Sequence, residues 1–133
     1  MQKSKIKSVA AAFNYTRRDI SLLKLFDKFP KQDKDWLKAM YERMVVIEAK
    51  NKEANGGKKW TPNWSDGQWN KYYTWARLEK AQKPGVGFVV SATLYDRAHT
   101  GTYVGSRLCM KSSELVLDFN REFPDLVQKT LAE

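Results

Sequence analysis

Asn55-Gly56-Gly57 divides this chain between two incompatible side-chain periods. Before it, apolar residues recur at the spacing of one helix face; after it, they alternate, as along a half-buried strand. A chain that changes period at a helix-stop signal is expected to place helices beside a sheet within one domain. At 133 residues it is long enough to bury a core without disulfides or metals. Residues 1–133 therefore read as a single domain with a helical part over 1–57 and an aromatic loop, sheet and C-terminal helix over 58–133.

The helical part begins with a short helix around Lys5 to Phe13. Thr16 reads as the N-cap of a second helix carrying Ile20, Leu23 and Phe26, which Pro30 ends. Asp33 is placed to cap a long helix that groups Trp36, Leu37, Met40, Tyr41, Met44 and Ile47 on one broad face. Beyond Gly57, three strands are expected, at Tyr72 to Leu78, Gly87 to Tyr95 and Thr102 to Met110, as an antiparallel meander. Phe88, Val90, Ala92 and Leu94 would share one face, and turns are signalled at Lys83-Pro84-Gly85 and around His99-Thr100-Gly101. Ser112 or Ser113 caps a final helix, interrupted at Pro124, laid across one sheet face. The expected fold is α+β: N-terminal helices, a three-stranded antiparallel sheet and a C-terminal helix on the sheet.

Charge is distributed unevenly. Residues 1–59 hold fifteen Lys and Arg against seven Asp and Glu, whereas residues 60–133 hold nine against eight, so nearly all of the net +9 belongs to the first half. Such a surplus favours an anionic partner, nucleic acid or an acidic protein surface. No apolar run approaches the ~18–20 residues of a bilayer span, the best being Met44 to Ile47. The N-terminus lacks the apolar stretch of a signal peptide, and a single cysteine, Cys109, fits a reducing cytoplasm.

Chemistry-bearing residues are sparse. His99, the sole histidine, falls in a turn beside Asp96 and Arg97, and Cys109 alternates with Arg107 on an expected strand, so neither stands beside a partner that would make it a base or nucleophile. Pro84-Gly85-Val86-Gly87 precedes no helix and no Lys-Ser/Thr, unlike a phosphate cradle. No metal, no cofactor and no catalytic residue are expected.

Lys58 to Arg77 holds four of the five tryptophans together with Tyr72 and Tyr73. Trp60, Trp64, Trp69 and Tyr72 can stack on bases while Lys58, Lys59, Lys71 and Arg77 hold phosphates. Alternatively the rings roof the sheet and pin it to the long helix, and this structural role is favoured because tryptophan is mostly buried in domains of this size.

Ile47-Glu48-Ala49, Trp60-Thr61-Pro62-Asn63-Trp64, Gln68, Lys71-Tyr72-Tyr73 and Tyr103-Val104-Gly105-Ser106-Arg107-Leu108-Cys109 together resemble a family of small proteins from phages, prophages and mobile elements of Bacteroidetes. The shared pattern is W-x-P-[DN]-W, K-Y-Y and V-G-S-R-L-C, over roughly residues 40–123. Thr74 departs from it, standing where a proline often follows the paired tyrosines, and Gly56-Gly57-Lys58-Lys59 lengthens the basic turn. The resemblance implies a phage or mobile-element setting in a bacterial cytoplasm and no particular reaction.

The sequence thus points to a non-enzymatic binding protein that engages RNA, single-stranded DNA or a host nucleoprotein complex. Its candidate contacts are Lys3, Lys5, Lys7, Arg17, Arg18, Lys24, Lys58 and Lys59, with no membrane partner. The alternative is an inhibitor of a host defence effector acting by protein docking, in the manner of anti-CRISPR proteins.

Overall fold

The computed structural model describes residues 4–67, 70–82, 87–102 and 104–133. Lys3, Gln68, Trp69, Tyr103 and the Lys83-Pro84-Gly85 turn lie outside the described residues.

Helix α1 spans Val9–Thr16 and is followed by a 3-10 helix at Ile20–Lys28; α2 spans Lys31–Ala54, β1 Lys71–Lys80, β2 Phe88–Ala98, α3 Ser113–Glu122 and α4 Pro124–Leu131. The architecture is α+β with a two-stranded antiparallel sheet among the described residues. Local signals explain several boundaries. Ser8 caps α1 by accepting the Ala11 N–H, and Ser112 caps α3 by accepting that of Leu115. Asn55 ends α2, Gly56 follows in the left-handed conformation at φ 69°, and the Gly57 N–H reaches back to the Lys52 carbonyl at 2.9 Å. Pro124 starts α4 afresh, because its ring and missing donor are tolerated only in a first helical turn.

Other expectations are corrected. The first helix lies at Val9–Thr16 and not at Lys5 to Phe13. Thr16 ends that helix, its hydroxyl donating back to the Ala12 carbonyl at 2.9 Å, and Asp19 caps the 3-10 helix in its place. Asp33 lies within the first turn of α2, which starts behind Pro30. The expected third strand is absent among the described residues of 102–110. Gly105, at φ 81°, and a 3-10 turn at Ser106–Leu108 break the extended run, leaving one bridge between Tyr72 and Met110. Asn51 of α2 holds the other side of that short segment, donating to the Cys109 carbonyl at 2.9 Å and accepting from the Lys111 N–H at 3.0 Å.

The β2 face is also corrected. Arg77 pairs with Ala92 but Leu78 pairs with Val90, so Ser91 is an extra residue in the ladder. A bulge of this kind reverses the alternation. Val90 accordingly packs toward the core with Tyr72 and Ala76, while Leu94 and its cross-strand partner Trp75 lie exposed on the other face. Asn120 of α3 ties the helix layer to the sheet, accepting from the Thr74 hydroxyl at 2.7 Å and donating to the Leu94 carbonyl at 3.0 Å. Gln128 of α4 similarly holds the Val90 N–H and the Phe88 carbonyl.

The core gathers around α2. Val45, Val46, Ile47 and Ala49 are buried with Phe13 of α1 and with Val116, Phe119 and Val127 of α3 and α4. Along the broad apolar face of α2, Ile47 is buried, Leu37, Met40, Tyr41 and Met44 are partly covered, and Trp36 is exposed. The stripe beside it carries the surprise: Arg43 and Lys50, four residues before and three after Ile47, are among the most buried side chains.

Candidate nucleic-acid interface

One stripe of α2, from Leu37 through Met44 and Glu48 to Lys52, lines three adjoining depressions, because residues three and four apart share a helix face. Around Glu48 and Lys52 lies a groove of about 280 Å³ bordered by Thr16, Arg18 and Lys59. It meets a cleft of about 170 Å³ where Trp60, Pro62, Ser106 and Arg107 face Met44, Glu48 and Asn51.

Glu48 is the organising charge. Its carboxylate accepts from Arg18 Nε at 2.7 Å and Nη2 at 3.1 Å, the planar, two-pronged arrangement that guanidinium favours. Arg18 also approaches the Tyr41 hydroxyl at 3.3 Å. These contacts raise the Arg18 pKa, chiefly through the Glu48 hydrogen bond, and hold Glu48 below the usual carboxylate range, with Arg107 and Lys59 adding to the same effect. One carboxylate therefore sits among four cations, Arg18, Lys52, Lys59 and Arg107, and the groove keeps a positive field. Lys52 is steadied over the Tyr15 ring at 5.1 Å, and the Asn55 amide donates to the carbonyls of Lys58 and Lys59, shaping the basic turn.

The aromatic loop is pinned beside this groove. Trp64 Nε1 donates to Ser106 Oγ at 2.6 Å, and the buried Lys71 lies over the Trp64 ring at 5.2 Å while its Nζ donates to the carbonyls of Asp66 and His99. Trp60 lines the cleft against α2. Trp64 thus links the Ser106 turn to the start of β1, and Trp60 links that turn to α2, whereas Trp75 is exposed by 42%.

Among the sequence-selected residues, Arg18 and Lys59 converge here, with Lys58 exposed in the adjoining turn. Lys5, Lys7, Arg17 and Lys24 are exposed but do not line the groove. Arg17 occupies the left-handed region at φ 59° as the cap of α1, and the Lys5 N–H donates to Glu53. Sequence reasoning missed Lys52 and Arg107. Lys52 lies four residues beyond Glu48, a signal readable from helical spacing, whereas Arg107 reaches the groove only through the turn that replaces the third strand.

His99 is exposed, and its described role is to receive Lys71 at its backbone carbonyl. Cys109 is buried, and burial raises its thiol pKa. Among the described residues, no group of His, Cys, Asp and Glu is arranged to hold a metal ion, and no helix is long and apolar enough to cross a membrane. No protein-family model, curated protein or solved structure matches the chain.

Proposed function

We propose that this protein is a non-enzymatic binding module of a phage or mobile element, acting in the bacterial cytoplasm and engaging single-stranded nucleic acid or a ribonucleoprotein through its basic groove. The observation that carries this reading is the convergence of Arg18, Lys52, Lys59 and Arg107 around Glu48, next to the Trp60 cleft. Arg18 is committed to Glu48, so Lys52, Lys59 and Arg107 are the groups that meet phosphates, and Trp60 is placed to offer a ring to one base.

Fluorescence anisotropy with labelled oligouridine and oligothymidine tests the reading. Affinity should fall with salt at a slope of about 0.7 per phosphate neutralised, and the triple variant K52A/K59A/R107A should remove most of it. Absence of binding at low salt, or binding indifferent to salt, overturns it.

A second reading, inhibition of a host defence effector by docking, is favoured by a separate observation: Ile20, Leu22, Leu25, Phe29 and Trp36 are all exposed apolar side chains within one short stretch.

A further inference from the structure

The 3-10 helix at Ile20–Lys28 presents more apolar surface than its contact with α2 covers. Three residues per turn align positions i and i+3 into ridges. Leu23 and Phe26 form the ridge that packs half-buried toward the core and α2, whereas Leu22 and Leu25 form a second ridge turned to solvent, Leu25 being 54% exposed. Phe26 links this surface to a concavity. Its ring lies 6.2 Å from Phe29, itself 49% exposed, and 5.9 Å from Tyr41. Phe26, Leu37, Met40, Tyr41 and Met44 then wall an apolar groove of about 470 Å³, closed on its far side by the segment from Val104 to Leu108.

We propose that this ridge and groove dock a segment of a partner protein in which apolar side chains are flanked by carboxylates. The inference rests on the docking reading and shares only Arg107 with the basic groove. An apolar anchor of the segment enters beside Met40 and Tyr41, and its acidic flanks meet Arg107 at the groove edge and the exposed Lys28, which continues the ridge of Leu22 and Leu25 by one turn. The concave shape selects a side chain over a flat lipid surface. The net charge of +9 selects against a second copy, since two such chains would oppose like charge to like. Nucleic acid is disfavoured in this part of the surface, because among the described residues the groove walls offer rings and methionines but one cation, Arg107.

A displayed random-peptide library, selected on the full-length protein, tests the proposal. Enriched peptides should pair Leu, Ile, Phe or Trp with Asp or Glu, and a synthesised example should bind the wild-type chain by anisotropy. L25E and M40E should each weaken it by about tenfold or more, and R107E should weaken it with a salt-sensitive component. L25E alters an exposed position, so an unchanged melting profile separates lost docking from lost folding. The K52A/K59A pair should leave peptide affinity intact while reducing oligonucleotide affinity, which keeps the two sites distinguishable. Selection of peptides without the acidic-apolar pattern, or binding unaffected by both L25E and M40E, overturns the proposal. So does L25E-sensitive attachment to phosphatidylserine vesicles, or L25E-sensitive self-association, since each assigns the ridge to another occupant.

Discussion

Lys50 Nζ of α2 lies 2.7 Å from Asp118 Oδ2 of α3, with the lysine side chain wholly buried. Ser4 accepts a second hydrogen bond from the ammonium at 3.2 Å, the Phe123 ring lies 5.7 Å away, and Arg121 holds the other Asp118 oxygen at 2.7 Å. This cluster binds the N-terminal segment, α2 and α3 at one point.

Removing the acid should leave a buried ammonium with no counter-charge. Asp118→Ala is expected to cost about 3–5 kcal/mol in urea unfolding, whereas Lys50→Met, which removes the buried charge itself, should cost far less. Similar losses for the two variants would falsify a dominant role for the uncompensated charge.

Arg43 is buried with less support. Its Nη1 donates to the Thr130 hydroxyl at 3.1 Å, and its Nε has no hydrogen-bond partner among the described residues. Burial pushes its pKa down to about 10. A base whose folded pKa lies below its unfolded one opposes folding at neutral pH, and this opposition fades as pH rises through about 10 toward the ordinary guanidinium value. Arg43→Met should therefore be neutral or stabilising near pH 7, with an advantage that shrinks above pH 10. A variant that unfolds more easily than wild type at neutral pH contradicts this.

Glu48 carries the opposite sign. Its carboxyl is held down mainly by the Arg18 hydrogen bond, so the stability it contributes is present above the ordinary value of 4.5 and is lost as pH falls through the lower folded value. The pair is partly exposed, which limits the effect to roughly 1 kcal/mol or less. Glu48→Gln should flatten the acid limb of the stability profile and, by removing the one carboxylate of the basic groove, strengthen oligonucleotide binding about twofold or more. Weaker binding in this variant contradicts the placement of phosphates there.

Asn120 serves Thr74 and the Leu94 carbonyl at once. Asn120→Ala should leave both unsatisfied at the boundary between helix and sheet, at a cost of about 1–3 kcal/mol, with faster amide exchange in β2. Unchanged exchange across β2 argues that the sheet is held elsewhere.

Much of the fold is legible in short stretches of sequence. Ser112, Pro124 and Asn55-Gly56-Gly57 mark boundaries that the structure keeps, and β1 and β2 fall close to their expected places. The third strand was misread because Val104, Leu108 and Met110 alternate convincingly, while the positive φ of Gly105 turns the backbone out of the ladder. The face of β2 was misread because nothing in its composition marks Ser91 as the extra residue. Of the candidate site, Arg18 and Lys59 were found through the surplus of charge, but charge alone does not distinguish a lysine that lines a groove from one such as Lys24 that lies elsewhere.

By itself, the sequence determined where α2 stops and where α3 and α4 start, that helices are followed by antiparallel strands, and which half bears the positive charge. Caps, left-handed glycines, proline rings and side-chain periods act within a turn or two of chain, so they are readable without a partner. Only the tertiary structure decided that Lys50, Lys71 and Arg43 are buried while Trp36, Trp75 and Leu25 are exposed. It also brought Arg18, Lys52, Lys59 and Arg107 around one carboxylate. The environment of a charge is set by groups distant in sequence, Asp118 for Lys50 and Thr130 for Arg43, and those neighbours exist only once the chain has folded.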